Sequence, residues 1–346
     1  MTFPRPRAML ALLGASTLLL AGCSTANGDA ENSSTGDTIK LSYAYFAPAT
    51  SFPSKQMEEW ATQLNERTDG QVEVELFLGG TLLGAGDIYE GVSQGVVDLG
   101  LDSPAYDTVR FPMSSVINVP MGLTDPGPAS QAFLELLTEY EPEEFDGYEI
   151  ITAFTTEASF IQSSTAIASQ GDMRGTTIRG AAATLPILEE LGTSPVGLPM
   201  NEVSEQMNTG VIDGYASSRE VLTEFGLAES VDYITDYPLN IGNSFVAVMD
   251  QDRFDALPAD VQEVIRDLKE EMSQWAAREH VRSVEEALGE AADQGVETLE
   301  LSQAEAAEWE KILEGRADAW GASQSDAPFD AQEVLDRVRE LADVSS

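Results

Sequence analysis

A short signature occurs twice in this chain, and it limits the fold more than any other feature. Gly95-Val96-Val97-Asp98 runs straight into Leu99-Gly100-Leu101, and Gly210-Val211-Ile212-Asp213 runs into Gly214-Tyr215-Ala216. In both, a helical spacing of apolar residues stops on a glycine, two β-branched residues follow, and an aspartate precedes a short buried run. Helix, glycine stop and buried strand is the succession that a parallel sheet needs at each crossover. The two copies stand in otherwise different sequence, so they predict two similarly wound α/β lobes and not a repeat.

The flanking patterns agree. Alternation from Ile39 to Phe46 predicts a first strand. Met57, Trp60, Ala61 and Leu64 predict a helix over 52–68 stopped by Asp69-Gly70, and Val72, Val74 and Leu76 a second strand, together a βαβ unit. The glycine-rich loop 78–86 is not followed by Gly-Lys-Ser/Thr, which argues against a phosphate loop. The next helix carries Ile88, Val92 and Val96 on one face. Residues 109–122 read as a core segment, 130–141 as a helix and 148–154 as a strand. A second lobe is expected to begin near Thr155, with a strand leading to Ala168, strands at 176–178 and 196–198, and helices at 183–191 and 202–209. Phe245–Met249 reads as a strand. After Leu257-Pro258 a helical pattern with Val264, Ile265, Leu268, Met272, Trp275 and Ala276 runs to about Asp293. A helix of about 30 residues reaches about 45 Å, long enough to span both lobes. A strand over 296–301 and helices over 303–321 and 330–341 complete the sequence. Lobe I is therefore expected to hold residues 39–154 plus about 245–280, and lobe II residues 155–244 plus about 281–346.

The beginning reads as an export signal. Arg5 and Arg7 precede an apolar run from Ala8 to Ala21 that is too short to span a bilayer comfortably. Leu20-Ala21-Gly22-Cys23 resembles a bacterial lipobox, so residues 1–22 are expected to be a lipoprotein signal peptide and Cys23 the lipidated residue. Cys23 is also the single cysteine, which leaves no intrachain disulfide. Residues 23–38 lack large apolar side chains and are expected to form a flexible tether. An acyl anchor contributes about 0.8 kcal/mol per buried methylene. The expectation is a body tethered to the outer face of the cytoplasmic membrane.

Sixty acidic residues face 18 basic ones, only four of them lysines, for a formal net charge of -42. Nucleic acid and anionic lipid are poor partners for such a surface. The excess is spread over the whole sequence, which suggests adaptation to high salt, where the Debye length falls to about 3 Å at 1 M.

Several segments stand in collinear order: Gln71–Phe77 after a Thr-Asp-Gly stop, Leu83-Gly84, Glu90–Asp98, Met173–Arg179, Pro195–Pro199, Asn201-Glu202-Val203, Thr209–Gly214, and Leu257-Pro258 with Gln262. In that order they resemble the binding component of tripartite ATP-independent periplasmic (TRAP) transporters, the DctP type, over nearly all of the sequence beyond the tether. The resemblance implies a type II periplasmic-binding-protein fold of class α/β, two lobes with a hinge, a ligand held between them, and membrane subunits as partners. It also implies that the arginine of Gly175-Thr-Thr-Ile178-Arg179 anchors a carboxylate. Many members have a second arginine about 20 residues earlier. Ser159 stands there, and one fixed cation suits a monocarboxylate.

The residues are compatible with that reading, although a surface arginine and core aromatics are the alternatives when each is taken alone. Arg179 is expected at a strand end before Gly180 and three alanines, where a planar guanidinium can take a carboxylate bidentately. Phe46, Tyr106, Phe160 and Tyr215 fall near expected strand ends and tilt the ligand toward an apolar or aromatic body. Ser103, Gln162, Ser217 and Asn243 are the polar candidates, able to hydrogen-bond an anion without repelling it. Ser217, four residues after Asp213, stands where the resembled family often has an asparagine contact. Asp213 reads as a turn residue and His280 as a solvated or packed histidine, since no metal or catalytic motif accompanies either. No cofactor and no enzymatic activity are expected. A binding protein of the same fold serving an ATP-driven importer or a sensor is the alternative, and a secreted hydrolase lacks a nucleophile with a recognisable base.

With so large a negative charge opposing an anionic ligand at long range, association should speed up as salt is raised from low ionic strength. Stopped-flow binding rates that fall with salt would show that local positive charge dominates the encounter.

Overall fold

Residues 38–342 are described by the computed structural model. The expected signal peptide, Cys23 and all but the last residue of the expected tether lie outside the described residues. Eleven strands form among the described residues: β1 Ile39–Ala44, β2 Val72–Phe77, β3 Leu99–Asp102, β4 Tyr148–Thr155, β5 Phe160–Ser163, β6 Thr177–Gly180, β7 Ser194–Gly197, β8 Gly214–Ser217, β9 Tyr233–Thr235, β10 Ser244–Asp250 and β11 Glu297–Leu299. They make two mixed sheets, in the orders β2-β1-β3-β10-β4 and β11-β9-β5-β8-β6-β7. Each sheet holds a parallel triplet, β2-β1-β3 and β7-β6-β8, flanked by an antiparallel strand, β10 and β5 respectively.

The repeated signature has one physical task in both sheets. Gly95 and Gly210 each sit at φ 69, the left-handed conformation that ends a helix cheaply only when the residue has no Cβ. Three residues on, the aspartate ties the coming strand to its neighbour: Asp98 Oδ2 accepts from Ser42 N at 2.8 Å, and Asp213 Oδ2 from Thr177 N at 2.7 Å. Asp213 is thus a turn residue, as its sequence context predicts. Val96 does not share the buried face of Ile88 and Val92. The helix ends at Ser93, so Val96 falls on the turn and is 48% exposed, with Val211 its counterpart at 54%.

Other differences have local causes. The helix expected over 130–141 starts at Pro126, because Asp125 caps it by accepting from Gly127 N at 2.8 Å and a proline suits its first position. Residues 109–122 form a core segment as expected, with Phe111, Val116, Ile117 and Val119 buried around the turn Ser114–Asn118, while Val109 at its start is exposed. The three-residue strand β9 is too short to show a period.

The helix Ala259–Gln294 runs past both sheets. Val261, Ile265, Leu268, Met272 and Ala276 pack with Leu41, Tyr43, Phe154 and Met249 of the first sheet, while Ala287 and Ala291 pack with Tyr215 and Ile234 of the second. Beyond the boundary expected at about 281, the chain also meets the first sheet. Val334, Leu335 and Val338 of the last helix, Ala331–Leu341, pack with Ala44, Phe133 and Val246 on the first sheet's side. An amphipathic stripe reveals that a helix packs, not what it packs on.

Two segments cross between the sheets side by side. Ser159 N donates to Asn240 O at 2.7 Å, Leu239 N to Ser159 O at 3.0 Å, Gly242 N to Glu157 O at 3.0 Å and Thr156 N to Asn243 O at 3.0 Å. In the second sheet β8 approaches β5 very closely at Gly214, where a Cβ would lie 2.6 Å from Gln162 O and 2.9 Å from Ser163 Cα. Gly214→Ala should therefore push the strands apart and cost about 1–3 kcal/mol, measurable by denaturant unfolding. An unchanged midpoint would show that the ladder yields freely.

Candidate functional site

The carboxyl ends of β1, β3, β6 and β8 converge with the crossing segments on one cavity between the sheets, the place where open α/β sheets bind ligands. Its first-sheet wall is aromatic. Tyr45 and Phe46 leave β1 with ring centroids 4.6 Å apart, Phe46 meets Tyr106 at 5.9 Å, and Phe245 meets Tyr45 at 6.1 Å and Phe52 at 6.0 Å. The opposite wall brings Arg179 from β6, Ser217 from the end of β8, and Glu220 and Glu224 from the short helical turn Val221–Glu224 with its preceding residue. Loops of the two sheets touch beside the cavity: Met200 N donates to Tyr106 Oη at 3.4 Å and Ala183 N to Ala105 O at 3.2 Å. The enclosed void is only about 20 Å³, room for a water or two, so a ring-bearing ligand requires the walls to part.

Arg179 is the cationic centre. It is 2% exposed, Nε donates to Leu198 O at 2.8 Å, and its guanidinium lies 5.9 Å from the centroid of Tyr106. Nη2 is buried without a hydrogen-bond partner. Among the described residues no carboxylate comes within ion-pair distance of it. Burial pushes its pKa below the ordinary arginine value while Tyr106 and Tyr215 act in the opposite direction. A buried cation with a free donor is costly until an anion arrives.

Behind the cavity lies an acidic group that the sequence does not announce. Glu157 receives Arg219 through Nε at 2.9 Å and Nη2 at 2.8 Å. His280 is fully buried, and its Nε2 accepts from Glu157 N at 2.8 Å. Burial, with Arg219 nearby, pushes its pKa down to about 3. Because Nε2 is an acceptor, Nδ1 carries the proton, and it points at Glu220 Oε2 across 3.8 Å. Ligand-type atoms of Glu157, Glu220 and His280 do lie within 4.8 Å of one another. The donor set nevertheless does not suit a cation: Nδ1 has no lone pair to offer and both Glu157 oxygens are held by Arg219.

Of the residues singled out from sequence, Arg179, Phe46, Tyr106, Ser217 and Asn243 line this cavity together. Ser103 hydrogen-bonds Asn243 Oδ1 and lines an adjoining cavity of about 340 Å³ that shares Tyr106. There burial pushes Asp102 up to about 7, against backbone donors Ser103 and Gly86. Phe160, Gln162 and Tyr215 stand one layer back. Phe160 lies under the Arg219 guanidinium at 4.0 Å, and Gln162 receives Tyr215 Oη at 3.1 Å while donating to Ser217 O at 3.0 Å. Glu220 and Glu224 escaped the sequence reading, since glutamates in so acidic a protein look solvated. Their spacing of four beside Val221 and Leu222, just past a strand end, is the signal that places them inward.

Residues 43–321 match the family model described as bacterial extracellular solute-binding protein, family 7 (DctP). A TRAP periplasmic solute-binding protein from Desulfovibrio salexigens is 35% identical, with 88% of this chain and 95% of that one covered and a TM-score of 0.77; it is an open complex with the C-terminus of a symmetry mate in its ligand-binding site. A TRAP solute-binding protein from Rhodoferax ferrireducens, in complex with copurified benzoate, shares the fold at 22% identity, 88% and 98% coverage and a TM-score of 0.84. The ectoine/5-hydroxyectoine-binding periplasmic protein UehA of Ruegeria pomeroyi is 27% identical over 234 residues, 65% of this chain and 67% of that one.

The buried acids give the ligand-free protein a pH signature. Burial pushes Glu224 up to about 8 and Glu220 well above its ordinary value. An acid with a raised folded pKa destabilises once its unfolded counterpart ionises, and the loss grows until pH passes the folded pKa. His280 acts the other way, costing stability as pH falls below about 6.5. Between about pH 7 and 8 the acids dominate, so stability should fall with rising pH by about 1.4 kcal/mol per unit for each proton taken up on folding. Glu224→Gln should flatten that slope by up to about one proton. Denaturant unfolding with equal slopes for both proteins would show that Glu224 is ionised in the fold.

Proposed function

Because the chain belongs to family 7 of the bacterial extracellular solute-binding proteins, the DctP proteins of TRAP transporters, we propose that it captures a small organic monocarboxylate between its two lobes and delivers it to the transporter's membrane subunits. The observation that carries this reading is the buried, unpartnered Nη2 of Arg179 in the cavity between the sheets. A carboxylate accepts from two guanidinium nitrogens at once and neutralises the charge, which no described protein group does. One such cation suits one carboxylate. The D. salexigens relative supports the chemistry, since a polypeptide C-terminus, which bears a carboxylate, occupies its site. The rings of Phe46, Tyr106, Phe52 and Phe245 favour a ligand with an apolar or cyclic body.

On this reading the two crossing segments and the long helix form the hinge, and closure sequesters the ligand from water. Ser217 and Asn243 complete the polar contacts, while Phe160, Gln162 and Tyr215 hold the β8 end in place. Family membership and the absence, among the described residues, of any helix long and apolar enough to cross a membrane fit an extracytoplasmic receptor. Attachment through a lipid on Cys23 belongs to the same proposal.

Arg179→Ala should weaken the best carboxylate found in a thermal-shift screen by about 2–5 kcal/mol. The melting temperature of the ligand-free protein should hold or rise, since an uncompensated buried charge is removed. Unchanged affinity by calorimetry would take Arg179 out of the site.

A further inference from the structure

A simple monocarboxylate leaves two residues of this cavity without a purpose. Glu220 and Glu224 line it together with Arg179, at 3% and 7% exposure. Glu220 Oε1 receives Ser218 Oγ at 2.7 Å, its Oε2 has no hydrogen-bond partner, and Glu224 Oε1 accepts from Phe52 N at 2.8 Å. Among the described residues the nearby cations are committed elsewhere: Arg219 to Glu157 at 2.8 Å and Lys55 to Glu279 at 3.2 Å, while Arg179 pairs with neither acid. The remaining groups around the two carboxyls include neutral His280, the phenols of Tyr45 and Tyr215, the Ser283 hydroxyl and the carboxylates of Glu157 and Glu279. The cavity therefore presents, among the described residues, an unpaired cation and two acids without an ion pair, and a ligand that is only an anion leaves both acids without a charged partner.

Resting on the carboxylate reading above, we propose that the ligand is a compact zwitterion, its carboxylate on Arg179 and a protonated nitrogen, ammonium or amidinium, against the carboxyls of Glu220 and Glu224. The aromatic wall suits such a ligand, because the faces of Tyr45, Phe52 and Phe245 attract a cation as well as an apolar ring. The acids are held protonated by burial in the ligand-free protein. Contact with a cationic nitrogen makes ionisation of one of them favourable, and its proton passes to solvent.

Matched acids test this. Cyclohexanecarboxylate and the three isomeric piperidine monocarboxylates differ by one ring methylene replaced by a protonated nitrogen. By calorimetry at neutral pH, at least one piperidine acid should bind about tenfold or more tighter than cyclohexanecarboxylate, the gain of one charge-assisted hydrogen bond. In Glu220→Gln/Glu224→Gln that preference should vanish while cyclohexanecarboxylate still binds, which also shows that the variant folds. Should the variant not fold, wild-type titrations in buffers of different ionisation enthalpy decide: proton release with the piperidine acid and none with cyclohexanecarboxylate supports the proposal, and equal proton counts overturn it. Cyclohexanecarboxylate binding as well as every piperidine acid overturns the zwitterion and leaves the carboxylate reading standing. Failure of both series to bind overturns both.

Discussion

The molecule is organised around a positive charge that none of its described carboxylates neutralises. Arg179 is removed from water, fixed by one hydrogen bond to Leu198 O, and left with a buried donor and no acidic partner among the described residues. With 60 acidic residues in the sequence, keeping every described carboxylate away from one guanidinium constrains the whole site. It requires that Glu157 be engaged by Arg219 and that Glu220 and Glu224 be held by Ser218 and by the backbone N–H of Phe52. The stability surrendered by a buried unpaired charge returns as affinity when an anion fills the gap.

The fold supplies this arrangement through strand ends. Parallel triplets in both sheets point their carboxyl ends at one another, and the recurring Gly-Val-(Val/Ile)-Asp turn sets the register of each triplet through an aspartate-to-backbone bond. Side chains leaving β1, β3, β6 and β8 then meet across a gap that neither sheet could make alone. The paired crossing segments and the long helix hold the sheets in one body while keeping few elements between them, the geometry expected of lobes that open and close about a ligand.

Much of this was legible from the sequence, for identifiable reasons. The strands and the long helix announce themselves by period, and the repeated turn by its glycines. Arg179 stood out through the Gly175-Thr-Thr-Ile178-Arg179 motif of the resembled family, with a glycine and three alanines after it. The lobe assignment of the last helix was not legible, since Val334, Leu335 and Val338 define a stripe without naming its partner. Phe160, Gln162 and Tyr215 lie near strand ends as expected, yet alternation along β5 and β8 decides which side chain faces the cavity, and a one-residue register is beyond a pattern reading. Glu220 and Glu224 were hidden for the opposite reason. Their burial depends on contacts with Ser218 and Phe52, residues distant in sequence or ordinary by composition, while His280 takes the packed one of its two expected states.

The most direct test of the account is a crystal structure of the protein with a bound organic acid. The account predicts the ligand's carboxylate oxygens within hydrogen-bond reach of the Arg179 guanidinium, in a cavity closed between the two sheets. A ligand seated elsewhere, with that guanidinium paired to one of the protein's own carboxylates, would contradict it.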